Sequence, residues 1–572
     1  MTRHILHSNQ PLPDFPRNLA EMLNTNSRKF SLKPIFQESQ DGKYIPLLWQ
    51  DFTQSVIALQ SSLTDLHLRK GERVAILSRN CQDMLVLDMA VMSMGAISVP
   101  IFAGYPANQA NRLTNFCEPR LVVVADQEQF NKLENPRKYE WIIHFSPISS
   151  DKFTNLIPFS ELLSSTGMGT AISGEELDPG TIALMMYTSG TMGRPKCVQL
   201  THANILSQQA AMKVLWKLSN TDRILSYLPW HHSFGGIFEK FAAITNGAVL
   251  SLEHGFGKNI EILLDNWQQV LPTVFFSVPR IYQQIATRVL QSTEIEKMIF
   301  HNELRFIFTA AAPLPQNIAK IFIERNIPVI EGWGLTETSP CCTVTNPNLP
   351  RSPGVVGKPI PGISLKLADD GEIMVKGPNI MTGYYKNTKE TDRVLTKDGW
   401  FYTGDVGELT KHGLRLIGRK DRIFKLSNAE KVVPTEIENI IGKDCAYISY
   451  AYVSGSGKDY PVTLLFPNKE MFKQIPDESQ LKSRCKCPQN LGDFSVCLND
   501  CLRELNKSID IKYARPQRAM LIDYELSIEN EELTPSMKLA PNTIAKVFKA
   551  NIEHLYNSEM VLSDKVYVIN LE

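Results

Sequence analysis

Between residues 45 and 125 the chain alternates short apolar strands with helically spaced apolar runs, and that alternation restricts it to one class of fold. Arg73-Val-Ala-Ile-Leu77, Ala96-Ile-Ser-Val-Pro-Ile101 and Leu121-Val-Val-Val-Ala125 read as strands, and Met84 to Met94 is apolar at helical spacing. Strands that alternate with helices build a parallel sheet covered on both faces. The pattern recurs at 222–230, 247–252 and 273–278, and again at Arg305–Thr309, just before the small-residue run Ala310-Ala311-Ala312. Residues 354–410 change character: glycine, proline and short alternating strands (Ser364–Leu367, Glu372–Lys376) predict an antiparallel subdomain. Beyond the polar turn Gly418-Arg-Lys-Asp421, strands at 446–453 and 462–466 and helices near 497–509 and 542–556 predict a smaller α+β domain. The expected architecture is α/β, with a large domain at 1–420 and a small one at 421–572.

Composition narrows the function. The 572 residues carry 60 basic and 60 acidic side chains. A formal charge of zero argues against bulk attraction to nucleic acid or acidic lipid, though it leaves peripheral contact with a membrane open. No run of 18 apolar residues is present, so no transmembrane helix is expected. Residues 1–19 lack an apolar signal core, and the expectation is an intracellular, cytoplasmic protein with its ten cysteines reduced. Cys485, Cys487, Cys497 and Cys501 cluster, but with no C-x₂-C pair and no histidine between them; an ordinary insertion is expected there rather than zinc.

Residues 187–196, Tyr-Thr-Ser-Gly-Thr-Met-Gly-Arg-Pro-Lys, are dense in phosphate-binding chemistry. Thr188, Ser189 and Thr191 supply hydroxyls, Gly190 and Gly193 let backbone N–H groups close on an anion, and Lys196 adds charge. The apolar run from Ile182 to Tyr187 reads as a buried strand, and Thr201 as the cap of a helix starting at His202. Strand, loop and helix together predict a phosphate cradle. It is not a Walker loop, because Lys196 lies between Pro195 and Cys197.

Further strings carry their own chemistry. In Glu331-Gly-Trp-Gly-Leu-Thr-Glu-Thr338, Gly332 and Gly334 let the backbone approach something flat, the Trp333 indole can stack on a purine, and Thr336 can bond a phosphate. Glu337 is a hard oxygen ligand suited to Mg²⁺. Asp405, closing Gly399-Trp-Phe-Tyr-Thr-Gly-Asp405, can accept both hydroxyls of a ribose or serve only its turn. His232 lies in Leu228-Pro-Trp-His-His-Ser-Phe234, and Lys538 ends Glu532-Leu-Thr-Pro-Ser-Met-Lys538, where nothing local marks it as catalytic.

Taken in order, these strings resemble the adenylate-forming, AMP-binding enzyme superfamily over roughly residues 45–556, and most closely the long-chain and bubblegum-type fatty acyl-CoA synthetases, which Val278-Pro-Arg280 also resembles. The resemblance implies ATP, Mg²⁺ and coenzyme A as cofactors and a carboxylic acid as substrate. Thr188, Ser189, Gly190, Thr191, Gly193 and Lys196 become the phosphate loop, and Gly332, Trp333 and Gly334 the adenine side. Asp405 and Arg419 take the ribose, and Glu337 and Thr191 the metal. Lys538, His232 and Thr336 become catalytic, Lys538 on a mobile C-terminal domain that turns about Asp421. His231 is the lesser partner of the carboxylate pocket. Trp230, Phe234, Gly235, Gly236, Phe275 and Ala310–Ala312 become uncharged pocket walls, which suits a fatty acid.

The implied reaction is activation of the acid to acyl-AMP, then thioester formation with coenzyme A. Two strings depart from the family. Ser427-Asn-Ala-Glu430 stands where relatives carry Ser-Gly-Gly-Glu near the pantetheine entry, with a methyl where glycine left room, and Leu539-Ala-Pro541 replaces a basic pair. Both bear on the acceptor. The alternatives are an acyl–acyl carrier protein synthetase serving a separate carrier, a non-catalytic acyl-nucleotide binder, and a phosphotransferase, which would yield ADP.

Overall fold

The computed structural model describes residues 5–149, 153–164, 170–188, 196–445, 447–469, 490–534, 537–557 and 566–571. The chain divides into two compact units. The first comprises 1–188, 195–403 and 409–415; the second comprises 189–194, 404–408 and 416–572.

Two sheets organise the first unit. One has eight strands, and its centre is parallel: Ile97–Phe102, Arg73–Ser78, Leu121–Val124, Trp141–His144 and Leu156–Pro158 lie side by side. The central strands are buried apart from Arg73 at the start of one, as apolar runs covered on both faces must be. Helix Gln82–Ser93 packs between its neighbours with ten of its twelve residues buried. Ile182–Thr188 joins in parallel beside Ile97–Phe102, and Lys196–Thr201 then pairs antiparallel with it.

That last strand changes the expected cradle. The segment expected to bind phosphate is followed by a strand before any helix: Lys196–Thr201 runs antiparallel to Ile182–Thr188, with Thr188 directly opposite Lys196. Lys196-Cys-Val-Gln-Leu-Thr201 is too well patterned for a sheet to remain a loop, and the helix waits until His202. At about 3.3 Å per residue the helix N-terminus lies roughly 20 Å from the loop, beyond the reach of its dipole. The N-terminus itself is formed as expected: the Thr201 side chain accepts from the Asn204 N–H, and the Asn204 side chain reaches back to Thr201.

The second sheet has fourteen strands. Arg223–Ser226, Val249–Leu252, Val274–Ser277, Phe306–Thr309 and Val329–Trp333 form its parallel part. The strands expected within 354–410 are antiparallel, as their pattern predicts. They continue the same sheet, through Thr343–Val344 and Val355–Pro359. The hairpin Pro34–Gln40 and Lys43–Leu48 lies at one end of this sheet, and strand Leu6–His7 at the other.

The two sheets are joined through helices. Lys240 and Asp88, whose side chains are each 1% exposed, form an ion pair at 2.6 Å, and the Ser98 hydroxyl donates to the other Asp88 oxygen. Asn80 donates to the Leu228 carbonyl and accepts from the Trp230 N–H. Between lies a π-helical turn, Phe234–Glu239, where a β-carbon on Gly236 would sit 2.0 Å from the Trp230 carbonyl oxygen.

The second unit is α+β. Ile448–Ser454, Val462–Pro467, Arg518–Ile522 and Val566–Asn570 form a four-stranded sheet, backed by helices Pro434–Asp444 and Leu491–Ser508. The helix expected at 542–556 is two, Pro541–Val547 and Lys549–His554, with Phe548 between them buried against Phe466 and Tyr524. Cys497 and Cys501 lie one turn apart on Leu491–Ser508, while Cys485 and Cys487 lie outside the described residues. Among the described residues no helix is long and apolar enough to cross a membrane.

His202 gives a test of this packing. Its Nδ1 accepts from the Leu19 N–H, and burial, reinforced by Lys70, lowers its pKa from 6.5 to about 4. Between those values the unfolded chain binds a proton that the folded chain refuses, so stability falls as pH drops from 6.5 toward about 4. His202→Asn keeps an acceptor for Leu19 and removes the titration. Its denaturation midpoint is expected to depend less on pH across that window than the parent's; identical pH profiles would refute this role.

Candidate active site

The first unit gathers one group of the sequence-expected residues through a chain of contacts. The Ser233 hydroxyl, next to His232, lies 3.1 Å from that of Thr336. Glu337 follows in the short turn Thr336–Thr338, 8% exposed, and its carboxylate accepts from the Tyr384 hydroxyl at 2.8 Å. Strand Gly383–Tyr384 pairs with Lys196–Thr201, Tyr384 opposite Val198. The Lys196 ammonium lies 5.0 Å from the centre of the Tyr384 ring and pairs with Glu390, which also takes Arg393. Hydrogen bonds from Arg393 and then Lys196, against the opposing effect of burial, pull the Glu390 pKa to about 2. Thr188 faces Lys196 across the hairpin; Ser189, Gly190, Thr191 and Gly193 lie outside the described residues.

The glycines of the Trp333 motif are required, but by protein. A β-carbon on Gly332 would meet the Phe308 ring at 2.4 Å, and one on Gly334 the Pro340 carbonyl oxygen at 1.7 Å. The Phe308 ring thus packs directly against Gly332. Trp333 is buried, at 7% exposure. Glu331, ahead of it, pairs with Arg351 and accepts from the Leu314 N–H, and Arg351 also donates to the Leu314 carbonyl. This pins the loop that follows Ala310–Ala312 to the motif.

His232 is half-buried and its Nδ1 accepts from the Phe234 N–H. His231 instead lies against the Phe102 ring, centroids 4.5 Å apart; its Nε2 is shut off from solvent, and burial with His232 nearby lowers its pKa to about 3. Several expected pocket walls are core. Trp230 is fully buried against Phe36 and the Lys240 ammonium, and Phe275 against Trp267 and Tyr282. Gly235 abuts the Leu228 and Pro229 carbonyls. Ala311 and Ala312 are exposed, and Ala311 is left-handed at φ 75°.

The second unit gathers the other group. Arg419 pairs with Asp405 at 3.1 Å and lies 3.9 Å from Asp421. Lys538 is near enough to Asp405 and Arg419 to feel both charges. It closes a tight loop in which Thr534 N–H donates to the Lys538 carbonyl and Met537 N–H to the Thr534 carbonyl, with Met537 left-handed at φ 58°.

Sequence reasoning passed over Ser233, Tyr384 and Glu390. The only signal for Glu390 was its place three residues after Asn387, which reads as a helix cap, and Asn387 does cap helix Thr388–Val394.

Residues 24–385 match the AMP-binding enzyme family, and residues 421–560 match the AMP-binding enzyme C-terminal domain. The chain belongs to the AMP-binding enzyme family. The long-chain-fatty-acid–CoA ligase FadD15 of Mycobacterium tuberculosis is 25% identical over 95% of this chain and 97% of its own length. Long chain acyl-CoA synthetase 3 of Arabidopsis thaliana is 25% identical over 91% and 89%. Among solved structures, o-succinylbenzoate coenzyme A synthetase of Bacillus subtilis in complex with AMP superposes with TM-score 0.71 at 20% identity, covering 93% of this chain and 98% of that one. ATP-bound MatB from Rhodopseudomonas palustris gives 0.72 at 21%, covering 93% and 99%. These establish the adenylate-forming fold, and adenylate-forming CoA ligases use ATP, Mg²⁺ and coenzyme A.

The family's Ser-Gly-Gly-Glu segment shows what its replacement costs. Residues 426–430 form a hairpin turn: Ala429 N–H donates to the Leu426 carbonyl and Leu426 N–H to that of Glu430. Ala429 occupies the left-handed position at φ 68°, which glycine suits, and its methyl is exposed. The methyl thus acts through the backbone within this unit. Left-handed geometry costs a non-glycine residue about 1–2 kcal/mol, and glycine gives back about 0.4–1 kcal/mol in unfolded-chain entropy. Ala429→Gly is expected to stabilise the chain by roughly 0.5–1 kcal/mol in chemical denaturation; a loss of stability would contradict this conformation.

Proposed function

We propose that this enzyme activates an apolar, long-chain carboxylic acid with ATP and transfers the acyl group to coenzyme A. The observation that carries the reading is the contact chain from Ser233 and Thr336 through Glu337 and Tyr384 to Lys196. It brings a hydroxyl, a hard carboxylate and a cation from three motifs into one unit. The names of the relatives support the substrate class, and the exposed Ala311–Ala312 segment adds no charge against it.

In the first half-reaction a carboxylate oxygen of the acid attacks the α-phosphorus of ATP. The bond to the bridging oxygen breaks, pyrophosphate leaves, and acyl-AMP remains. Such transfer is governed by in-line positioning and charge neutralisation. The donor set fits Mg²⁺, which binds through one or two carboxylates and shares the substrate's phosphates; Glu337 would hold it, and it would supply positive charge at those oxygens. Lys196 adds charge on the phosphate-loop side, and Thr336 donates to a phosphoryl oxygen. Asp405 and Arg419 hold the ribose. Lys538 meets the carboxylate and the developing α-phosphate charge. In the second half-reaction the thiol displaces AMP at the acyl carbon, a step in which Lys538 has no part.

Pyrophosphate release across a panel of acids of rising chain length, with coenzyme A as acceptor and holo acyl carrier protein beside it, tests the reading. AMP and pyrophosphate, with strongest turnover on long apolar acids, are expected; ADP would overturn it. Lys538→Ala is expected to slow acyl-AMP formation about 10²–10³-fold and to leave transfer from pre-made acyl-AMP within a few-fold of the parent. Equal losses in the two half-reactions would remove Lys538 from its assigned place.

A further inference from the structure

Tyr384 lies between two groups assigned to different tasks. Its hydroxyl donates to the Glu337 carboxylate at 2.8 Å, and its ring faces the Lys196 ammonium at 5.0 Å. It is 5% exposed. The residue is held from two sides. Its strand is paired with the strand that begins at Lys196, and its N–H donates to the Thr391 hydroxyl on helix Thr388–Val394. A β-carbon on Gly383 would meet the Thr391 methyl at 2.7 Å, so the strand and that helix are closely fitted. The same helix carries Glu390, the partner of Lys196. One short helix therefore fixes both the tyrosine and the lysine's resting partner.

We propose that Tyr384 is a positioning residue that couples divalent-cation binding at Glu337 to phosphate binding at Lys196. The inference rests on the assignment of Glu337 to the metal and Lys196 to the phosphates made above. The hydroxyl takes one oxygen of Glu337 and leaves the second for a hard cation. Partners of a ligand's outer side fix its orientation and are worth 10–100-fold in metal affinity. The phenolic O–H is the donor in this bond and the carboxylate the acceptor. On its other side, a polyphosphate must draw Lys196 from Glu390. The ring face offers the ammonium an alternative to the carboxylate while it moves.

The test is ATP binding by titration calorimetry, acid omitted, with and without Mg²⁺, in the full chain. Tyr384→Phe keeps the ring and removes the hydroxyl. Its Mg²⁺ requirement for half-maximal ATP binding is expected to rise about tenfold, with Mg²⁺-free ATP affinity unchanged. Tyr384→Leu is expected to add a few-fold loss in the Mg²⁺-free measurement, since the ring face is gone. Glu337→Gln serves as the reference: combined with Tyr384→Phe it should be no worse than alone, because the tyrosine acts through Glu337. If Glu337→Gln shifts the Mg²⁺ dependence and Tyr384→Phe does not, Tyr384 is only a packing residue and the proposal fails. Equal weakening by Tyr384→Phe with and without Mg²⁺ also overturns it. If Glu337→Gln itself leaves the Mg²⁺ dependence unchanged, the failure lies in the metal assignment of Glu337.

Discussion

The buried ion pair between Asp88 and Lys240 joins the two sheets that carry the motifs at 187–196 and 331–338. Each side chain is 1% exposed, and Ser98 and the faces of Trp230 and Phe241 complete their surroundings. Breaking such a pair from one side leaves an uncompensated charge and costs about 3–5 kcal/mol. Asp88 lies on a helix of the eight-stranded sheet, and Lys240 opens a helix of the fourteen-stranded one. Thr188 and Lys196 belong to the first sheet, and Thr336 and Glu337 follow a strand of the second. Any slip between the sheets would separate these groups. Tyr384 spans the same division at the other side, from a strand of the first sheet to a carboxylate of the second.

Thirteen non-glycine residues among those described have positive φ, and three of them stand beside segments singled out for chemistry. Ala311, Ala429 and Met537 are left-handed without being glycine, at φ 75°, 68° and 58°. Each adjoins a segment singled out for chemistry: the Ala310–Ala312 run, the Ser427–Glu430 turn and Lys538. Non-glycine residues in this region persist where the surroundings over-determine them, and they gather at functional sites. At Met537 part of that determination is visible, since the Tyr450 hydroxyl donates to its carbonyl at 3.1 Å.

What was legible in the sequence followed from period and capping. The strands at 73–78, 97–102 and 121–124 are short, mostly apolar runs, and the cap at Thr201 needs only two neighbouring side chains. Errors arose where tertiary pairing decides. The strand Lys196–Thr201 escaped notice because its pairing with Ile182–Thr188 appears only once the chain is folded. Trp230 and Phe275 were read as pocket walls because hydrophobicity does not say which face is lined by ligand and which by protein. Tyr384 escaped notice because its meaning comes from Glu337, 47 residues away in sequence. The order of motifs revealed the family; the pairing that assembles them appears only in three dimensions.

The width of the fourteen-stranded sheet carries a hazard of its own. An open sheet ends in rows of unpaired N–H and C=O groups that can template the addition of another chain. One end here is Leu6–His7, a strand of two residues, too short to seat a partner. The other is Lys43-Tyr-Ile-Pro-Leu-Leu48, where Lys43 would bring its charge into any intruding strand and Pro46 offers no N–H to pair. A continuous β surface of this size can thus remain a discrete particle, because its margins are poor templates for fibre growth.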